Sequence, residues 1–224
     1  MNKTLSFVRL DYITIKPYIT LKNLLIFFGG ALIMIISSGV SVSAIAILMA
    51  YASLYVSYPF AIGEKNSIDA LYATLSIKRS TAVLGRYVFA LTVDVFAGLL
   101  ACSFSFVVLT VMQKDFNVLE SGVVMLVMFL LCIVTQAVQF PIYYKIGYTK
   151  AMYLAYLPFV GLFLITLAVT NFLKDSFSLP QIISFFGWFV ANPFVAALLG
   201  FFILAGILVV SYRTSLKYYN MRDF

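Results

Sequence analysis

The sequence contains no histidine and only two cysteines, Cys102 and Cys132. Without histidine, the chain can build neither a histidine-based catalytic triad nor the usual histidine-ligated zinc site. Both cysteines lie within apolar runs, at depths that differ by roughly 12 Å of helix. A disulfide requires Cα atoms within about 7 Å of each other. We therefore expect two free thiols, no bound metal and no redox chemistry.

Charged residues are also scarce, at 10% of the chain, whereas 63% of it is hydrophobic and the mean hydropathy is +1.06. Soluble domains are nearer to about a quarter charged, so this composition predicts an integral membrane protein. The apolar runs do not alternate with polar residues, as the strands of a membrane barrel would, and an all-α fold remains. The net charge of +7 is spread between apolar runs, which argues against a nucleic-acid partner.

The apolar runs contain six segments that we expect to cross the bilayer, within a single domain over residues 1–224. The run between Leu24 and Ile62 is nearly twice the length of one crossing, so it must turn. The small polar residues Ser37, Ser38 and Gly39 predict that turn. The fourth span is expected to close at Pro141. The predicted spans are 21–37, 40–60, 82–111, 122–142, 153–173 and 193–211.

The basic residues predict the orientation of these spans. If both termini are cytosolic, every Lys and Arg except Lys114 and Lys174 lies in an inner segment. Inner loops of membrane proteins carry such an excess of positive charge. One missed crossing would exchange the sides of all later loops, so the distribution predicts six spans with both termini inside.

Two segments outside the spans are predicted to lie at the membrane surface. Residues 1–20 form an interfacial helix stopped near Pro17, with a disordered basic tail as the alternative. Residues 174–192 are too apolar for a solvated loop and too short for a crossing, which predicts a re-entrant or interfacial outer segment anchored by Trp188. The apolar face of the first segment consists of Leu5, Val8, Tyr12 and Ile15.

The longest charged interruption between spans runs from Tyr58 to Arg86. Its apolar residues repeat at i, i+3, i+4 and i+7, which predicts a short amphipathic helix within residues 63–80. The stripe alone leaves two alternatives, a helix resting on lipid and a helix docked on a partner protein. The stripe consists of Ile68, Leu71, Tyr72 and Leu75.

Asp94 is the only acidic residue well inside a span, which makes it costly in a membrane. Gln136 and Gln139 lie on the fourth span at a comparable depth. One alternative is a transport path in which Asp94 meets a cationic group of a substrate. The other is packing, in which Asp94 forms a hydrogen bond with Thr135 or Gln136.

No enzymatic site is evident, and the chain has no GxxxxGK[ST] loop to hold the phosphates of ATP. Any energy source must therefore be a partner protein or an ion gradient. A lone intramembrane carboxylate gives little support to an ion-coupled carrier, which needs ionisable pairs.

The stretch YPFAIGEKNSIDALYATLSIKRSTAVLGRYV resembles the loop after the second span of small ABC-2 type permeases, the six-helix membrane subunits of ATP-binding-cassette exporters. Ser76 departs from the pattern, because the family usually has proline there. The segment PIYYKIGYTKA is similar to the family's loop after the fourth span, and residues 215–224 are similar to its tail. The matching residues of the first stretch are Pro59, Phe60, Glu64, Lys65, Tyr72, Leu75, Ile77, Arg79, Arg86 and Tyr87. Those of the second are Pro141, Tyr144, Lys145, Gly147 and Lys150.

This resemblance implies the permease of a bacterial exporter in the plasma membrane. Within the family it is closest to peptide exporters, such as those for phenol-soluble modulins, with lipid, drug or ion efflux as the alternative. It implies two permease copies, as a homodimer or with a paralogue, docked to separate ATPase subunits that bind ATP and Mg²⁺. The residues implied for ATPase coupling are Glu64, Lys65, Asn66, Ile68, Asp69, Leu71, Tyr72, Leu75, Ile77, Arg79, Lys145 and Gly147.

Overall fold

The computed structural model describes residues 3–66, 68, 72, 78–153 and 192–222, and every regular element in these ranges is helical. The helices are α1 (Lys3–Ile15), a 3₁₀ turn (Lys16–Tyr18), α2 (Leu21–Ser38), α3 (Ser41–Lys65), α4 (Arg79–Val111), α5 (Val118–Ile146), α6 (Tyr148–Ala151) and α7 (Pro193–Asn220). Within the described ranges, five helices are long and apolar enough to cross a membrane: α2, α3, α4, α5 and α7 from Leu198. The predicted all-α membrane fold is confirmed for this part of the chain.

Helices α2 to α5 alternate in direction, and together with α7 they form a bundle with one end rich in polar residues. α3 ends at Lys65 and α4 begins at Arg79, so the stretch between them leaves and re-enters the bundle at the same end. The last turns of α5 and α7 also lie at this end, because the rings of Tyr144 and Tyr219 are 5.1 Å apart. We call it the polar end, and the end that contains Gly39 the opposite end.

The predicted fifth span (153–173) and outer segment (174–192) fall outside the described residues, apart from their terminal residues Tyr153 and Asn192. Both therefore remain predictions. α5 and α7 run in the same direction, since Ser211 contacts Ala137 and, two turns later in each helix, Tyr219 contacts Tyr144. A crossing between α5 and α7 would produce this parallel arrangement.

The predicted turn between the first two spans is confirmed. α2 ends at Ser38, Gly39 adopts the left-handed conformation with φ 72°, and α3 begins at Ser41. A residue without Cβ adopts this conformation at no steric cost. The side chain of Lys114 covers the turn, with its Nζ 2.6 Å from where a Cβ at position 39 would lie. The turn and the loop after α4 therefore meet at the opposite end.

The prediction that the fourth span closes at Pro141 is wrong, because α5 continues to Ile146. A proline inside a helix removes one N–H and leaves the carbonyl four residues earlier without its helical partner. In α5 that carbonyl belongs to Ala137, and it accepts a hydrogen bond of 2.6 Å from Oγ of Ser211 on α7. Neighbouring helices can replace lost backbone bonds in this way, so the helix tolerates the proline.

α1 packs mainly against α4, and of its predicted apolar face Ile15 is buried and Val8 packs against the same cluster. Phe7 and Asp11 are buried, whereas Leu5 and Tyr12 are 60% and 55% exposed. The ring of Phe7 lies directly over Gly85, where a Cβ would come within 2.6 Å of its Cδ1. The predicted face is therefore only half correct, because hydrophobicity alone could not show that Gly85 makes room for the ring of Phe7 or that the carboxylate of Asp11 is buried.

The core consists of two main clusters, and both cysteines lie at the one nearer the opposite end. Cys102 and Cys132 are free, as predicted. Sγ of Cys102 lies 3.6 Å from Sδ of Met125, and Sγ of Cys132 lies 3.9 Å from the carbonyl of Met49. The cluster at the polar end is mostly aromatic and includes Phe7, Phe60, Tyr72, Tyr87, Phe140, Tyr143, Tyr144 and Tyr219.

Candidate functional site

Glu64, in the last turn of α3, joins that helix to α6, which follows α5. Its carboxylate accepts a hydrogen bond of 2.9 Å from the backbone N–H of Thr149, at the start of α6. Gly147 links α5 to α6 with φ 83° and ψ 162°, a conformation that essentially only glycine adopts. A Cβ at Gly147 would lie 3.0 Å from both carboxylate oxygens of Glu64. The structure therefore brings together two predicted coupling residues that are far apart in sequence.

The two described residues of the amphipathic stripe, Ile68 and Tyr72, pack against the chain's own helices. Both have helical backbone. Tyr72 is 4% exposed, and its ring meets that of Phe7 edge to face at 5.1 Å. Ile68 is half-buried against the same aromatic cluster. At these two positions the apolar side of the stretch faces the bundle, whereas Asp69, Leu71, Leu75 and Ile77 lie outside the described residues.

Arg79, the first residue of α4, binds the end of α7. Its Nη1 donates hydrogen bonds to the carbonyls of Tyr219 at 3.0 Å and Asn220 at 2.7 Å. Carbonyls in the last turn of a helix lack helical partners and lie at the negative end of its dipole, so they favour a cation. Arg222 acts similarly on α5, since its Nη2 donates to the carbonyl of Tyr143 at 3.2 Å.

The remaining predicted coupling residues that the structure describes are exposed at the polar end. Lys65 is the last residue of α3, and Asn66 follows it with its N–H bonded to the carbonyl of Ile62. Lys145 places its Nζ 5.3 Å from the centroid of the Tyr218 ring. These side chains form a polar rim around the aromatic cluster.

Arg86 is a buried cation to which the sequence analysis gave no site role. It is 4% exposed, and its guanidinium carbon lies 4.3 Å from the centroid of the Phe60 ring and 5.7 Å from that of Tyr144. Its Nη2 also donates to the carbonyl of Pro59 at 3.5 Å. Cations over aromatic faces are stabilised by the ring quadrupole. The sequence did contain a signal for this residue, because Arg86 is among the residues that match the loop of ABC-2 type permeases.

Tyr87 connects α4 with α7 through a buried group of hydroxyls. Its hydroxyl lies 2.5 Å from Oγ of Ser211 and 2.9 Å from Oγ of Ser215. Ser211 also donates to the carbonyl of Ala137 on α5, so this group reaches three helices. The signal in the sequence was a pair of serines one turn apart on an apolar helix.

Asp94 lies deeper in the bundle and is fully buried. Its Oδ2 accepts a hydrogen bond of 2.8 Å from Nε2 of Gln136 on α5, as the packing alternative predicts. Its Oδ1 is also buried and accepts no hydrogen bond within the part of the chain that the structure describes. Gln139, one turn along α5 toward the polar end, is buried as well. One carboxylate oxygen of Asp94 thus packs against Gln136, and the other is left to accept a hydrogen bond from a cationic group.

Contacts between helices dominate the polar end. Among the described residues, no group of three or more His, Cys, Asp or Glu side chains could hold a metal ion. Glu64 joins the end of α3 to α6, and Arg79 and Tyr87 join α4 to α7.

Comparison with known proteins gives one informative result. No curated protein and no solved structure matches this chain. A family model described as ABC-2 family transporter protein matches residues 6–220, which is most of the chain. Together with the five apolar helices, the match identifies a multi-pass membrane protein, which in bacteria lies in the plasma membrane. The chain therefore belongs to the ABC-2 transporter family, whose members are generally non-catalytic membrane components of ATP-binding-cassette transporters.

Proposed function

We propose that this chain is the permease subunit of an ATP-binding-cassette exporter and that a separate subunit hydrolyses the ATP. One observation carries the proposal: the residues that flank the loops at the polar end are bonded to neighbouring helices. Glu64 binds the start of α6, and Arg79 binds the end of α7. A partner that displaces these loops would therefore displace helices that cross the membrane.

The partner ATPase docks on the polar side of the stretch between α3 and α4. The burial of Ile68 and Tyr72 against the bundle supports this assignment, because the docking face is then the opposite side of the stretch. Lys65, Lys78 and Lys145 are exposed around it and favour a partner surface with acidic groups. Asp69, Leu71, Leu75 and Ile77 remain proposed coupling residues, and two permease copies, identical or paralogous, form the working transporter.

Co-purification of the tagged permease with its cognate ATP-binding-cassette ATPase tests this docking. Reversing two exposed charges with Lys65→Glu and Lys145→Glu should lower ATPase recovery on the tagged permease at least fivefold, because like charges would then face each other. Insertion and expression of the variant should equal those of the wild type, since both side chains are exposed. Lys114→Glu, an exposed position at the opposite end, is the matched control. Full recovery by the double variant would refute the docking surface.

The cargo is an amphipathic or hydrophobic peptide that carries positive charge, and Asp94, Gln136 and Gln139 line its path. Three features support this assignment: the burial of all three side chains, the bond between Asp94 and Gln136, and the Asp94 oxygen that accepts no bond in the described ranges. A carboxylate held in this way would attract a cationic group when the helices separate. Lipid, drug or ion efflux is the alternative.

Asp94→Asn distinguishes a role of Asp94 in the transport path from a role in packing, because asparagine keeps an acceptor for Gln136 but removes the charge. We expect export of a cationic amphipathic peptide from proteoliposomes to fall several-fold, while the unfolding midpoint and ATPase recovery stay unchanged. A neutral peptide of the same length is the substrate control, and Ser105→Ala, at another buried polar position on α4, is the variant control. Unchanged export of the cationic peptide would leave Asp94 a packing role only.

A further inference from the structure

We infer that Arg79 is a positioning residue, which couples the stretch after α3 to α7, and that it does not itself contact the ATPase. The inference rests on the proposed function, because it names the route by which motion of that stretch reaches the membrane. It also differs from the role that resemblance implies for Arg79, a direct contribution to ATPase docking.

The guanidinium of Arg79 uses one of its terminal nitrogens to bind α7. Each terminal nitrogen of arginine carries two N–H groups. Nη1 of Arg79 has two acceptors in α7, the carbonyls of Tyr219 and Asn220. The guanidinium also lies 5.8 Å from the centroid of the Tyr219 ring, so ring and carbonyls of the same residue hold it. This end of the side chain is directed into the chain's own fold.

Lys78, the residue before Arg79, is more exposed than Arg79. Lys78 is exposed and forms no side-chain hydrogen bond to the start of α4, whereas Arg79 is half-buried. Two adjacent cations therefore have different environments. Lys78 is available to a partner, and Arg79 faces α7.

A second connection joins α4 and α7. The hydroxyls of Tyr87 on α4 and Ser211 on α7 are hydrogen-bonded. Tyr87 lies eight residues after Arg79, and Ser211 lies eight residues before Tyr219. The two connections are about 12 Å apart along helices that run in opposite directions. Two separated attachments resist rotation of one helix against the other, whereas one alone would act as a pivot. Displacement at the start of α4 should thus carry α7 with it.

Hydrogen exchange of the purified permease tests the connection without any partner. With Arg79→Gln, the amides of residues 217–222 should exchange at least fivefold faster, because the last turn of α7 loses its bound cation. Arg79→Lys should give faster exchange as well, because a lysine keeps the charge but lacks the planar pair of donors. Lys78→Gln, the matched control, should leave exchange unchanged. Unchanged exchange with Arg79→Gln would overturn the inference.

The complex with the ATPase tests coupling. Spin labels at Val111→Cys and Val195→Cys, both exposed positions at the opposite end, report the distance between α4 and α7 with and without ATP and vanadate. Cys102→Ser and Cys132→Ala provide the background free of native thiols. In the Arg79→Gln complex we expect full ATPase recovery but less than half of the wild-type distance change. In the Lys78→Gln complex we expect reduced recovery.

The outcomes separate this inference from the proposed function. If the wild-type permease recovers no ATPase, the proposed function fails. If the wild type recovers it and Arg79→Gln does not, while Lys78→Gln does, Arg79 is itself a docking residue and only this inference fails. Full recovery with an undiminished distance change in Arg79→Gln would likewise overturn the coupling role.

Discussion

Ser211 illustrates how one side chain can be required by a residue on another helix. Pro141 removes the N–H that would have bonded the carbonyl of Ala137, and Ser211 supplies the donor instead. No water is present in the hydrocarbon core to replace a missing donor. The sequence shows a proline and a serine, but they are 70 residues apart, and nothing in the pattern pairs them.

Ser211→Ala should lower the free energy of unfolding by about 1–2 kcal/mol, because a buried carbonyl then lacks a donor. In the Ser211→Ala background, Pro141→Ala restores the N–H and should recover most of that loss. The measurement is equilibrium unfolding in mixed micelles. Thr214→Ala is the control, since its hydroxyl donates to the carbonyl of Val210 within α7. Additive effects of the two substitutions would contradict this account.

At the scale of the element, α1 depends on a missing side chain. Gly85 on α4 lets the ring of Phe7 approach the helix backbone, and Phe7 in turn contacts Tyr72. α1 therefore buries Tyr72 of the stretch between α3 and α4 against the bundle. The prediction of a helix in residues 1–20 needed only its pattern, but its buried face depended on Gly85, far away in the sequence.

Gly85→Ala should displace α1, because the new Cβ would lie 2.6 Å from Cδ1 and 3.1 Å from Cβ of Phe7. Limited trypsin digestion should then cleave after Arg9, which is exposed, much faster than in the wild type. Phe7→Ala combined with Gly85→Ala relieves the clash and should slow cleavage relative to Gly85→Ala alone. Gly122→Ala is the control, since a Cβ there meets nothing within 4 Å. Equal cleavage of wild type and Gly85→Ala would count against this packing.

At the scale of the whole molecule, the sequence predicted the helices better than their contacts. The length of the apolar runs and the single Gly39 turn determined four of the spans to within a few residues, apart from the extensions beyond Pro59 and Pro141. Contacts such as the bond between Asp94 and Gln136 could be proposed from depth, because antiparallel helices pair residues of equal depth. The position of Arg86 between aromatic rings could not, since it depends on three helices packing together.

The orientation of the bundle in the membrane is a separate prediction for the whole molecule. If the polar end is cytosolic, Lys114→Cys in intact cells should react with a membrane-impermeant maleimide, whereas Lys145→Cys should react only after the cells are opened. Both positions are exposed, so access and not burial decides the result. The background again lacks Cys102 and Cys132. Labelling of Lys145→Cys in intact cells would place the polar end outside.

The contact between Arg79 and α7 also sets an order in time. Arg79 binds the carbonyls of Tyr219 and Asn220, which follow it in the chain by 140 and 141 positions. The ribosome therefore makes these residues long after it has made α4. Helices that are inserted early must wait for α7 before the polar end takes its final form. We therefore expect the surface for a partner to be complete only after α7 has entered the membrane, which would keep half-made chains from engaging an ATPase.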